Sequence, residues 1–230
     1  MSQFYKIVVL GSIFISLSFS EQLFIMTYNI HAFPYLISGN QPQTILSKIE
    51  EFSYPYDIVF IQENWIFNTN YFNNQNSKYN WIVPKNNSGL SFAFHSDLKT
   101  IFNHEEMFSE CSGWLFNAND CWASKGFMHS IIEFEGSNIH IYNTHLDAGV
   151  GNQDGNVRNQ QLFELLSYIN NVSKDSPLII CGDFNYNYKK SQDSLIIIDF
   201  MNQLGLKNID WISESDYEGW MLDYVFYRSS

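Results

Sequence analysis

Apolar residues in this chain fall into short runs separated by polar and turn-forming residues. Seven of the runs read as strands: QLFIMTYNI from Gln22, DIVFIQE from Asp57, LSFAFHS from Leu90, GFMHSIIEF from Gly126, NIHIYNTHL from Asn138, PLIICGDF from Pro177 and LDYVFYR from Leu222. Between them, apolar positions recur at helical spacing in QTILSKIEEF after Pro42, in NQQLFELLSYINNV from Asn159 and in SLIIIDFMNQLG from Ser194, which closes on Gly205 as helices commonly do. Many strands and few helices predict sheet packed on sheet with helices outside. The Asn-rich FNTNYFNNQNSKYN, residues 67–80, reads as a surface loop.

The opening segment, MSQFYKIVVLGSIFISLSFS, has a different pattern: one basic residue, a mainly apolar run of eleven from Ile7 to Leu17, and small residues at Ser18 and Ser20. Such a run is too short for a hydrocarbon core of about 30 Å and has the layout of a cleaved secretory leader. Residues 1–20 are therefore expected to be a leader and 21–230 the domain of a secreted protein; a buried first strand is the alternative. Secretion suits the cysteines. Cys111 and Cys121 stand in the loop-like ECSGWLFNANDCW and are expected to form a disulfide, whereas Cys181, inside LIIC, reads as a small buried hydrophobe. Two sequons, at Asn86 and Asn171, offer glycan acceptors.

Charge narrows the choice of partner. Against 12 basic residues stand 24 acidic ones, a net −12, and loss of the leader would remove Lys6 and no acid. A chain this acidic, without a basic stripe, repels phosphate backbones unless bound cations intervene, which counts against nucleic acid. No later apolar run reaches membrane-spanning length.

Candidate chemistry collects at strand ends. Asn29 ends the first strand and Glu63 the second; His145 and Asp147 follow IHIYNT, and Asp183 and Asn185 follow LIIC. Singly, an Asn can cap a turn, a Glu can face solvent and a His can sit hydrogen-bonded in a core; at the ends of four strands together they predict a ligand site. The set suits phosphate-ester cleavage with Mg²⁺, which takes oxygen ligands and keeps several waters, so Glu63 with the amide oxygen of Asn29 is a sufficient anchor. A protonated His145 and the Asn185 amide would donate to the phosphate, and Asp183 could orient the attacking water or hold an imidazole.

In order along the chain, TYNIH, IQEN, NTHLDAG and GDFN resemble the motifs of the endonuclease/exonuclease/phosphatase (DNase I-like) superfamily. The resemblance implies an α+β fold, a four-layer sandwich of two mainly antiparallel β-sheets flanked by helices. It also implies that Asn29 and Glu63 hold metal, that His145 contacts phosphate, and that Asp183 and Asn185 are the catalytic acid and amide. Within the superfamily, DCWASKGF, THLDAG followed by VRNQQLFEL, and LDYVFYR are most similar to secreted neutral sphingomyelinases. That likeness implies Mg²⁺-dependent hydrolysis of sphingomyelin, a membrane phospholipid met in transient surface contact, to ceramide and phosphocholine. It implies a substrate-binding role for Asp120, Lys125 and Asp147.

One departure stands out. Members of the family carry a late Ser-Asp-His segment on a final strand, whose histidine takes a proton from the attacking water. Here all six histidines lie at or before His145. LDYVFYR is thus expected to be the penultimate strand of a fold lacking its last one, in a fragment, a degenerate member, or a protein in which another group substitutes. The readings weighed are a sphingomyelinase-type phosphodiesterase, a nuclease of the same fold, and a catalytically dead phospholipid-binding member.

Overall fold

The structure, a computed structural model, describes residues 8–13, 22–32, 51, 55–65, 77–86, 88–113, 121, 123–209 and 222–229. Two sheets carry the fold. The first has the order β1(Val8–Ile13), β2(Leu23–Ala32), β3(Ile58–Asn64), β5(Ser91–His95), β4(Tyr79–Ile82); the second runs β10(Lys207–Asn208), β11(Asp223–Arg228), β9(Leu178–Asp183), β8(Ser137–His145), β7(Gly126–Phe134), β6(Lys99–Met107). Pairing is antiparallel except for β2 with β3 and β8 with β9, which run parallel.

Alternation along these strands builds two cores. Ile25, Ile58, Phe60, Ile139, Ile141, Ile179 and Cys181 belong to the cluster that fills the space between the sheets. The opposite faces of β8, β9 and β11, through Tyr142, Ile180 and Phe226, pack with α1(Asn152–Val172) and α2(Ser191–Leu204). Each apolar side chain removed from water contributes on the order of 1.5–3 kcal/mol. Met26, Val59, Ile61 and Ala93 form a third cluster on the outer face of the first sheet. The helix expected over residues 43–52 lies outside the described residues, apart from helical Glu51. Among the described residues no helix is long and apolar enough to cross a membrane.

Two expectations need correction. The Asn-rich stretch does not end as loop, because Tyr79 and Asn80 open β4 and pair with His95 and Phe94. Helix α1 begins seven residues before Asn159: the Asp154 carboxylate accepts from the Gly151 N–H at 2.9 Å and fixes a polar first turn. β11 is flanked on both sides, by β9 and by β10, with the Ile209 N–H donating to the Val225 carbonyl at 3.1 Å. Its outer edge is therefore covered from Val225 to Tyr227. At the start of the chain, Val8–Ile13 pairs antiparallel with β2.

Candidate active site

The alternation that fills the inter-sheet core also aims the functional side chains. Asn29 continues the series Ile25, Thr27; His145 continues Ile139, Ile141, Asn143; and Asp183 continues Ile179, Cys181. All three point between the sheets at the carboxyl ends of parallel strand pairs, where His145 and Asp183 are register partners. Glu63 is the exception, since alternation would set it outward with Val59 and Ile61. Its backbone is left-handed (φ 56°), and so is that of His31 (φ 46°), where the β2–β3 register slips between Asn29 and Ala32. Asn185 is left-handed too (φ 54°). Such conformations cost about 1 kcal/mol or more each in a non-glycine residue and gather where a site demands them. Gly182 has no alternative: at φ 147° an added Cβ would sit 2.0 Å from the Thr144 carbonyl oxygen of β8.

The result is one cluster. The Asn29 Nδ2 donates to Glu63 Oε1 and to Asp183 Oδ2, each at 3.1 Å. His145 Nε2 lies 3.9 Å from both of those carboxylate oxygens. Lys125, only 5 % exposed, places Nζ 2.9 Å from His145 Nε2. His31 joins from the open side, its Nδ1 2.7 Å from Glu63 Oε2. Asn185 stands just behind, donating its backbone N–H to Asp183 Oδ1 at 3.0 Å and its amide to the Leu146 carbonyl at 2.8 Å.

Not every expected residue joins the cluster. The buried Asp147 carboxylate accepts from the Ser112 N–H at 2.6 Å and from Gln161 Nε2 at 2.7 Å, tying the Cys111 loop to α1. Asp120 lies outside the described residues. Cys111 and Cys121 are disulfide-bonded, as expected, and Cys181 is buried in the inter-sheet core.

Two features escaped sequence reasoning. His31 sits inside the quoted TYNIH, yet nothing in the pattern marks it as the partner of Glu63. The other is a buried bridge between the sheets: Gln62 Nε2 donates to Asn143 Oδ1 at 2.7 Å, and Asn143 Nδ2 donates to the carbonyls of Ile61 and Ser91 at 2.9 and 3.0 Å. Polar residues inside the apolar strands DIVFIQE and NIHIYNTHL were the available signal. The bridge fixes the strand carrying Glu63 against the strand carrying His145.

Electrostatics separate the two carboxylates. Burial pushes Glu63 upward, but the His31 hydrogen bond, with the charge of Lys125 nearby, outweighs it and holds its carboxyl at about 2. Burial dominates at Asp183 and raises it to about 6, against the Asn29 hydrogen bond and Lys125. Burial, then Lys125, lowers His145 to about 3. The expected protonated His145 is thus corrected: it is neutral, and the cation facing the site is Lys125.

Among the described residues no three His, Cys, Asp or Glu side chains form a ready-made cage for a metal ion. A Mg²⁺ site does not require one, since this ion is held by one or two carboxylates and keeps its waters. The oxygen donors that fit are carboxylates: Glu63 Oε1 and Asp183 Oδ2 meet across the Asn29 Nδ2, whereas the expected Asn29 Oδ1 accepts from the His31 N–H at 3.1 Å.

Comparison with known proteins identifies the family and the fold. The sequence profile described as the Endonuclease/Exonuclease/phosphatase family matches residues 26–230. The chain is 26 % identical over 226 residues to a sphingomyelinase of Mycobacterium tuberculosis, covering 89 % of this chain and 44 % of that protein. It therefore spans less than half the length of this curated relative. Among solved structures, beta toxin of Staphylococcus aureus, a mutant with bound magnesium ions, superposes with a TM-score of 0.69 at 19 % identity, over 88 % of this chain and 82 % of that one. Sphingomyelinase C of Streptomyces griseocarneus gives 0.67 at 15 % identity, over 89 % and 82 %. At these identities the superpositions establish the fold.

Proposed function

From membership of the endonuclease/exonuclease/phosphatase family, to which this chain belongs, we propose that it is a secreted, Mg²⁺-dependent phosphodiesterase that hydrolyses sphingomyelin to ceramide and phosphocholine. The observation that carries this reading is the convergence of Asn29, Glu63, Lys125, His145 and Asp183, from separate elements of two sheets, into one buried polar cluster. The sphingomyelinase names among the relatives direct it to this substrate, and the Cys111–Cys121 disulfide fits an oxidising compartment.

Each residue then has a role. Ionised Glu63, with Asn29 beside it, would hold the cation, which when bound neutralises charge on the phosphoryl oxygens. Lys125, oriented by the neutral His145 whose Nε2 accepts one of its N–H groups, donates to those oxygens as negative charge builds, with the Asn185 amide behind it. The carboxyl of Asp183, raised to about 6, is placed to accept a proton from the attacking water near neutral pH, the task that the family's late histidine performs. The water oxygen bonds to phosphorus as Asp183 takes its proton, the bond from phosphorus to the ceramide oxygen breaks, and that oxygen takes a proton from solvent, to which Asp183 later returns its own. A membrane surface is met only transiently, at the open side where His31 stands.

Purified protein on sphingomyelin vesicles and on DNA, with Mg²⁺ or with EDTA, tests the proposal. Phosphocholine release that needs Mg²⁺, without nicking of DNA, is expected. DNA cleavage, or sphingomyelin binding without turnover, would replace it with one of the other readings.

A further inference from the structure

Beside the cluster, and sharing Asn185 with it, a cavity of about 600 Å³ opens between the first turn of α1 and the loop from β9 to α2. Gly149, Gly151 and Asn156 line one side, Lys190 and Ser191 the other, with Arg158 in the wall. The proposed hydrolysis makes no use of this space.

Arg158 is the unexplained element. It is 6 % exposed. Its Nη1 donates to the carbonyl oxygens of Asp147 and Gly149 at 2.6 and 3.2 Å, and its guanidinium carbon stands 5.2 Å from the centre of the Tyr186 ring. Its Nε is buried without a partner. Among the described residues no carboxylate pairs with it. A cation taken out of water in this way is only partly compensated by two carbonyls and a ring. The acids nearby are occupied: Asp193 accepts from the Asn187 N–H at 2.9 Å, and Asp154 from the Gly151 N–H at 2.9 Å and the Ser112 hydroxyl at 2.5 Å.

A second feature points the same way. Two helix N-termini open on the cavity, α1 of 21 residues and α2 of 14. First-turn N–H groups lack partners within a helix, and although each first turn carries an acid, Asp154 or Asp193, the lining with Arg158 and Lys190 against Asp193 keeps one positive charge in excess. With Arg158 and Lys190, donors reach the space from several sides, which suits a tetrahedral anion better than a planar carboxylate.

We infer that this cavity is a second site, for a phosphate group carried either as free phosphate or as a phosphomonoester headgroup, separate from the phosphodiester at the reacting cluster. The rim carries Val150, 75 % exposed, beside which the apolar part of a lipid could lie.

Gly155 supplies the test. It lines the cavity, and nothing lies within 4 Å of a Cβ added there, so Gly155→Glu adds a carboxylate without crowding the helix, and Gly155→Ala is its control. Both variants should melt no lower than the parent chain. Titrated with inorganic phosphate in EDTA, the parent and Gly155→Ala should gain a saturable rise in melting temperature that Gly155→Glu and Arg158→Gln lose. No rise in the parent, or an equal rise in Gly155→Glu, overturns the inference. Loss of the rise in Glu63→Gln with its survival in Gly155→Glu would place the anion at the reacting cluster and also overturn it. Because the metal is chelated throughout, none of these results bears on hydrolysis. Sedimentation with phosphatidylcholine vesicles, with and without phosphatidic acid, identifies the carrier. Retention that needs phosphatidic acid and fails in Gly155→Glu supports a headgroup; a phosphate-induced rise without retention supports free phosphate.

Discussion

Replacing Asn143 by Leu removes the bridge between the sheets while nearly keeping side-chain volume. Three hydrogen bonds disappear: those to the carbonyls of Ile61 and Ser91, and that from Gln62. At about 1 kcal/mol each they sum to roughly 3 kcal/mol. Gln62, fully buried, would keep only its contacts with Thr27 Oγ1, the shortest at 3.1 Å, and a buried donor left short adds on the order of 1–3 kcal/mol. The expected loss is about 4–6 kcal/mol, a large part of the roughly 5–15 kcal/mol that holds a domain together. Urea unfolding should show a lower midpoint at unchanged slope. Asn138→Leu, exposed near the start of the same strand, should stay within about 0.5 kcal/mol of the parent. Turnover by Asn143→Leu should fall even where it is folded, because the bridge sets Glu63 against His145. A loss under about 1 kcal/mol would refute the claim that this bridge fixes the two strands.

Acid should weaken the fold through His129, which stacks on Tyr142 at 4.4 Å between ring centres and approaches His140 at 3.0 Å. Burial, then the neighbouring histidines, lowers it from 6.5 to about 3, and His140 is lowered as well. The unfolded chain takes up a proton that the folded one refuses, so this stability is present above pH 6.5 and lost as pH falls toward 3. Between pH 7 and pH 5 the loss is roughly 2 kcal/mol for His129 alone, and His129→Phe should flatten the profile of unfolding free energy against pH. Glu63→Gln should abolish the rise in melting temperature on adding Mg²⁺; an undiminished rise would move the metal elsewhere. If residues 1–20 are a leader, sequencing the exported protein should begin at Glu21, whereas recovery of Val8–Ile13 would make β1 part of the mature sheet.

The pattern of apolar runs revealed the strands that are buried and lost those that are not. GFMHSIIEF matches β7 end to end, while β6 (KTIFNHEEM) escaped because, as the edge of its sheet, it carries polar residues on both faces. β4 was hidden in an Asn-rich surrounding, and the first turns of α1 in NQDGNVR, where Val157 is the one apolar side chain. For the site, strand ends were enough to gather Asn29, Glu63, His145, Asp183 and Asn185. The left-handed backbones at His31, Glu63 and Asn185 have no local signature, since none is glycine; tertiary packing imposes them. The bridge from Gln62 to Asn143 joins residues 81 apart, which no local window can pair. The neutral state of His145 arises from burial beside Lys125, a property of the folded site and not of either residue.

The central claim is that this cluster hydrolyses sphingomyelin with a divalent cation, and phosphocholine release from sphingomyelin vesicles by Asp183→Asn tests it most directly. Asparagine keeps the shape and the contact with Asn29 but cannot take a proton near neutral pH. The account predicts release by the parent chain that requires Mg²⁺ and falls by a factor of about 10²–10⁴ in Asp183→Asn. Release by Asp183→Asn at the parent rate, or release by the parent that is unchanged in EDTA, would contradict it.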